Sequence, residues 1–217
     1  MKLNNFYNLL NEVILLKKKL FVLEPQIEKS IKIIFKTFKA KKKIWICGNG
    51  GSAADAQHLS AEFLVRLRPK INRKTYPIVS LALDTSTITA CSNDYNYNLL
   101  FSRNLEALAS KGDLLICLST SGNSNNIINV LKKARGMKIK SLSFLGNNGG
   151  LAKKYSDLNI IVPNNNTARI QECHILIGHY ILERVENKSI DVKPIISRLI
   201  DKLNVLFAFS STLSKNE

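Results

Sequence analysis

The chain has 217 residues, 45% of them hydrophobic, and sets 32 Lys and Arg against 16 Asp and Glu for a formal net charge of +16. That length can bury one good core, so a single folded domain with extra helices is expected and a disordered chain is excluded. No apolar run reaches the ~18 residues that cross a bilayer, and the opening MKLNNFYNLLNEVILLKKK is interrupted by Asn and Glu, unlike a signal peptide, so a cytoplasmic protein without a membrane partner is expected.

The positive charge suits either an acidic partner such as nucleic acid or a lysine-rich surface that attracts phosphorylated metabolites. Its clusters at Lys17–Lys19, Lys39–Lys43 and Arg66–Lys74 are short, with no basic tail and no aromatic-interleaved basic motif. The second reading is therefore favoured, and nucleic acid is not an expected partner. Cys47, Cys91, Cys117 and Cys173 show no CxxC pairing and read as reduced core thiols.

Phe6, Leu9, Leu10, Val13, Ile14 and Leu16 predict a helix over residues 3–20 with a broad apolar face, packed on its own domain or on a sister subunit. Pro25 is expected to break the pattern, and Ile27 to Phe38 resumes it. The stretch IWICGNGGSAADAQHLSAEFLVRL, Ile44 to Leu67, then reads as strand, tight turn and helix. Gly48-Asn49-Gly50-Gly51-Ser52 lets a ligand approach the main chain where the new helix points free N–H groups, although such turns also serve tight packing. His58 and Glu62 lie one turn apart on one helix face. That spacing suits proton transfer, metal ligation or a solvated surface pair.

RLRPKINRKTYP reads as a loop, Ile78 to Leu83 as a strand, and Thr85 to Ser92 as a helix broken by Asn93-Asp94-Tyr95. A helix over Leu99 to Ala109 follows, and then the strand Leu114 to Leu118 enters Ser119-Thr120-Ser121-Gly122-Asn123-Ser124 and a helix to Arg135. Four hydroxyls at a helix N-terminus exceed what one cap requires and favour a phosphate cradle over a serine-rich cap. No GK[ST] follows, so no nucleotide cofactor is implied. Lys138 to Leu145 and Leu158 to Val162 complete five strands. They predict an α/β fold, a parallel sheet with helices on both faces and ligands beyond the carboxyl ends of the strands. Thr167 to Glu186 is a long helix with Gln171, His174 and His179; Gln171 and His179 lie about 80° apart around its axis and ~12 Å along it. Spacing alone does not choose between the two histidines. Ile195 to Phe207 suggests one more amphipathic helix in a C-terminal extension over residues 191–217.

CGNGGSAADAQH (Cys47 to His58), AEFLVR (Ala61 to Arg66), DTSTITACSNDY (Asp84 to Tyr95), STSGNS (Ser119 to Ser124) and TARIQE (Thr167 to Glu172) stand in an order that resembles the bacterial phosphoheptose isomerases of the sugar isomerase (SIS) domain superfamily. The resemblance covers about Lys2 to Glu186. It implies a flavodoxin-like three-layer sandwich over residues 1–190 and isomerisation of sedoheptulose 7-phosphate to D-glycero-D-manno-heptose 7-phosphate. It also implies a homotetramer with sites shared between subunits. Glu62 matches the family's base and His179 its acid, while His58, Glu62, Gln171 and His179 match zinc ligands. Asn49, Gly50, Gly51, Glu62, Asn93, Asp94, Ser119, Thr120, Ser121, Ser124 and Gln171 match substrate-binding positions. Two other readings remain: a non-catalytic adaptor of the same fold that binds a replication-initiator protein, and an isomerase for a hexose or pentose phosphate.

Overall fold

The fold was obtained as a computed structural model, which describes residues 5–82 and 84–189. The expected helix over Ile195 to Phe207 lies outside the described residues. Helix α1 (Phe6–Lys19) starts at Asn5, whose side chain accepts from the Asn8 N–H, and ends in three lysines that suit its negative C-terminal pole. A 3-10 turn over Leu20–Leu23 leads straight into α2 (Glu24–Lys39). Two helices thus precede the first strand, and the break between them falls just before Pro25. This proline sits in the first turn of α2, where its missing N–H would have had no partner anyway.

Strand β1 (Ile44–Cys47), helix α3 (Gly51–Leu64), strand β2 (Ile78–Ser80) and helix α4 (Thr85–Asp94) follow in order. Helix α5 (Leu100–Leu108), strand β3 (Leu114–Ser119), helix α6 (Asn125–Gly136), strand β4 (Lys140–Gly146), strand β5 (Leu158–Val162) and helix α7 (Thr167–Ser189) complete the described chain. Several boundaries differ from expectation. Helix α3 stops at Leu64 rather than Leu67, because Val65 leaves helical geometry (φ −97, ψ −88). Strand β2 ends at Ser80, and α4 runs through Asn93 and Asp94 to stop at Tyr95. Strand β4 starts at Lys140 because Lys138 takes the left-handed conformation (φ 58) that closes α6.

All strand pairs are parallel, in the order β2-β1-β3-β4-β5. Alternation along the strands sends Ile44, Ile46, Leu114 and Ile116 into a core with α2, α3 and α7. Trp45, Cys47, Leu115 and Cys117 enter a second core with α5 and α6 on the opposite face. This is the doubly wound arrangement that the strand–helix alternation predicts. Its order reverses between β1 and β3, so the crevice at their carboxyl ends is where such sheets take ligands. The glycine and serine turns follow these two strands. All four cysteines are free, and Cys47, Cys117 and Cys173 are buried.

Candidate active site

At the switch point a small cavity of about 50 Å³ is lined by Asn49, Ser52, Leu118, Ser119, Thr120 and Ser124. Larger hollows elsewhere on the surface carry none of the proposed groups. Two hydroxyls brace the serine turn itself: Ser119 Oγ accepts from the Gly122 N–H and Ser121 Oγ from the Asn123 N–H, both at 3.1 Å. Ser124 is the N-cap of α6 but makes no side-chain capping bond. Its hydroxyl, with that of Thr120, is left for a ligand beside the helix N-terminus, which favours an anion. Gly122 takes φ +65 with the Gly149 carbonyl so near that a side chain would collide, so the Gly149-Gly150 turn buttresses the cradle.

Asn49 is fixed by a reciprocal amide pair with Asn126, Nδ2 to Oδ1 at 2.9 Å one way and 2.8 Å the other. The Tyr97 hydroxyl donates to Asn49 Oδ1 at 2.9 Å. Ser52, Asn126 and Tyr97 were not singled out from the sequence. Ser52 was legible as the continuation of the glycine turn; the other two carry no local signal. Asn93 and Asp94 end α4, exposed and bonded to each other at 2.8 Å. Gly50 has φ +54 and opens α3, and a side chain on its neighbour Gly51 would run into the Gln171 amide.

The second cluster lies further along α3. His58 and His179 face each other Nε2 to Nε2 at 2.8 Å, their rings inclined at 70°. Glu62 Oε1 is 3.9 Å from His58 Nε2. Burial first, then the His58 charge, lowers the His179 pKa below its ordinary value, against the raising effect of Glu62 and Glu183. His174 points the other way. It is fully buried, its Nε2 3.2 Å from the Leu145 carbonyl. The structure thus separates the two histidines that spacing left open.

Gln171 does not join the second cluster within one chain. It precedes His179 by about 12 Å of helix and lies at the first residue of α3. Among the described residues no group of three or more His, Cys, Asp and Glu is arranged to hold a metal ion. The donors nevertheless fit one in kind, since two imidazoles and a carboxylate form a known open zinc set. An ion held by both imidazoles would take the place of the His58–His179 hydrogen bond.

The SIS domain model matches residues 10–146. A phosphoheptose isomerase of Aliarcobacter butzleri is 49% identical over 166 residues, 76% of this chain and 87% of the relative. The structure of a phosphoheptose isomerase from Neisseria gonorrhoeae is 35% identical with a TM-score of 0.77, covering 82% of this chain and 95% of that one. One from Francisella tularensis is 29% identical with a TM-score of 0.81, covering 86% and 99%. Fold and site thus define a sugar isomerase domain enzyme that acts on a phosphosugar. Within that class, the chain belongs to the phosphoheptose isomerase family.

Proposed function

We propose that the protein converts sedoheptulose 7-phosphate to D-glycero-D-manno-heptose 7-phosphate in the cytoplasm, the first step of ADP-heptose formation for lipopolysaccharide core or related glycans. The observation that carries this reading is the convergence of His58, Glu62 and His179 on the facing sides of α3 and α7. Moving a carbonyl from C2 to C1 requires a base at carbon, an acid at oxygen and stabilisation of the enediolate between them. Glu62 takes the C1 proton and returns it at C2, while His179, neutral near pH 7, passes a proton between the two oxygens. The cradle of Thr120 and Ser124 holds the phosphate, and Gln171, Asn93 and Asp94 orient the sugar. An adaptor of the same fold needs neither acid nor base, so the paired groups support the enzyme.

A shared site in a homotetramer is part of the same proposal. Ser52 at the cradle and Glu62 are ten residues apart on α3, ~15 Å. An extended seven-carbon phosphate spans only about 10 Å from C1 to phosphorus. Joining the cradle of one copy to the Glu62 cluster of another supports a complete site. So does α1, which fully buries Leu16 alone and leaves Phe6, Tyr7, Ile14 and Leu15 exposed. Zinc belongs to the proposal too: His58, Glu62 and His179 would hold it, with Gln171 added only across a subunit interface. When bound, a divalent ion polarises the sugar carbonyl.

Purified protein is expected to turn over sedoheptulose 7-phosphate, with Glu62→Gln and His179→Gln each lowering kcat by about 10²–10⁴ while remaining folded. Metal analysis and a chelator arm report on zinc. A folded wild type that is inert with every divalent metal added would sink the reading.

A further inference from the structure

A basic stretch, Arg66 to Lys74, follows α3. The last turn of a helix leaves carbonyls without intrahelical donors. In α3 one side chain collects two of them: Arg73 Nη2 donates to the Glu62 carbonyl at 2.7 Å and Nη1 to the Phe63 carbonyl at 2.9 Å. Its Nε donates to Glu186 Oε1 on α7 at 2.6 Å. Arg68 Nε takes the other oxygen of Glu186 at 2.8 Å. Glu186 is fully buried, the Arg73 side chain is 3% exposed, and the Tyr76 ring lies 4.4 Å from the guanidinium carbon.

A buried ion pair is a poor device for stability alone, since apolar residues of the same shape often serve as well. A guanidinium adds a rigid fork that fixes several acceptors in one plane. Here the acceptors are the backbone of the residue carrying the proposed base and a carboxylate on the helix carrying the proposed acid. Glu186 follows His179 by two turns and so shares its face. One turn ahead of Glu62, Leu59 packs so closely on Gly178 that a side chain there would collide. His179 lies between these two fixed contacts on α7, Glu62 sits at the second of them on α3, and His58 adjoins the first.

We propose that Arg73 and Glu186 form a positioning pair that locks α3 against α7 and holds Glu62 and His179 at their working separation. Arg73 touches neither substrate nor reacting atoms; it acts through the Glu62 backbone and through Glu186. The proposal rests on the isomerase reading and deepens it.

The test compares Arg73→Met, Arg73→Lys and the double variant Arg73→Met/Glu186→Leu. The double variant removes both charges together and should regain most of the thermal stability that Arg73→Met loses. Its kcat should stay about tenfold to a hundredfold below wild type, the size of loss that an ångström of misplacement causes. KM should change by less than about twofold, because the cradle lies at the other end of α3. Arg73→Lys keeps the charge without the fork and should also stay below wild type in kcat. Imidazole ¹⁵N–¹H spectra of the chelator-treated, metal-free protein should lose the His58–His179 contact. Return of kcat together with stability, with wild-type imidazole signals, would overturn the proposal; so would full activity in Arg73→Lys. Inactive wild type would instead remove the isomerase reading, and the imidazole spectra would then decide the positioning role by themselves.

Discussion

Two histidines five residues apart on α7 meet opposite fates. His174 is enclosed beside the Phe144 ring, and burial pushes its pKa down to about 4. In the unfolded chain it titrates near 6.5, so between those values the unfolded state binds more protons and stability falls as pH drops. The loss should reach roughly 2–3 kcal/mol by pH 4.5. Urea melts at pH 7 and 4.5 should show it, and His174→Phe should flatten that part of the dependence. The His179 pKa is also lowered, by burial and then by the His58 charge, so its neutral form persists below pH 6.5. Its hydrogen bond to His58 requires that at least one ring be neutral. Isomerase activity should therefore hold through pH 6.5 and fall only at more acid pH, which a kcat–pH profile would read.

Ser119 and Ser121 each accept from a backbone N–H of the serine turn, and we propose that Thr120 and Ser124 meet the phosphate. Replacing a serine N-cap by alanine ordinarily costs about 1 kcal/mol, but Ser124 makes no capping bond that the change would remove. Ser124→Ala should therefore melt within a degree or two of wild type. Its KM should rise by about tenfold, the value of one hydrogen bond to a charged phosphate. Ser119→Ala should lower the melting temperature as well, since its hydroxyl accepts from the Gly122 N–H. A Ser124 variant that loses stability with unchanged KM would return this turn to an ordinary cap. The hydroxyl cluster was legible because all of its members fall within six residues; its division of labour was not, because Oγ partners depend on how the turn closes.

At the scale of the molecule, the exposed apolar side chains of the described residues are most frequent at the N-terminal helices. Phe6, Ile14 and Leu15 on α1 and Phe21 just beyond it are exposed, and Phe21 shares a hollow of about 350 Å³ with Leu20, Ile27, Leu176 and Tyr180. Such apolar exposure is characteristic of association surfaces, and it belongs with the proposed tetramer. Ile14→Glu with Leu15→Glu should yield a smaller species in analytical ultracentrifugation and abolish turnover without changing the helical circular dichroism. A monomeric wild type with full activity would refute the shared site.

The strands, the two ligand turns and the order of helices were readable from the chain because each depends on neighbours within a few residues: apolar runs, glycines at strand ends, hydroxyls at helix starts. Boundaries slipped where one backbone conformation decided them, as at Val65 and Lys138. Pro25 marked the break between the first two helices, because the ring that is excluded from a helix interior fits a helix start. Partnerships were beyond any local pattern. His58 and His179 are 121 residues apart and Arg73 and Glu186 are 113 apart. Those pairings follow from the way α3 and α7 pack on one face of the sheet, and the burial of His174 from the seating of α7 on β4. Contacts such as Leu59 on Gly178 set that register only after the chain has folded.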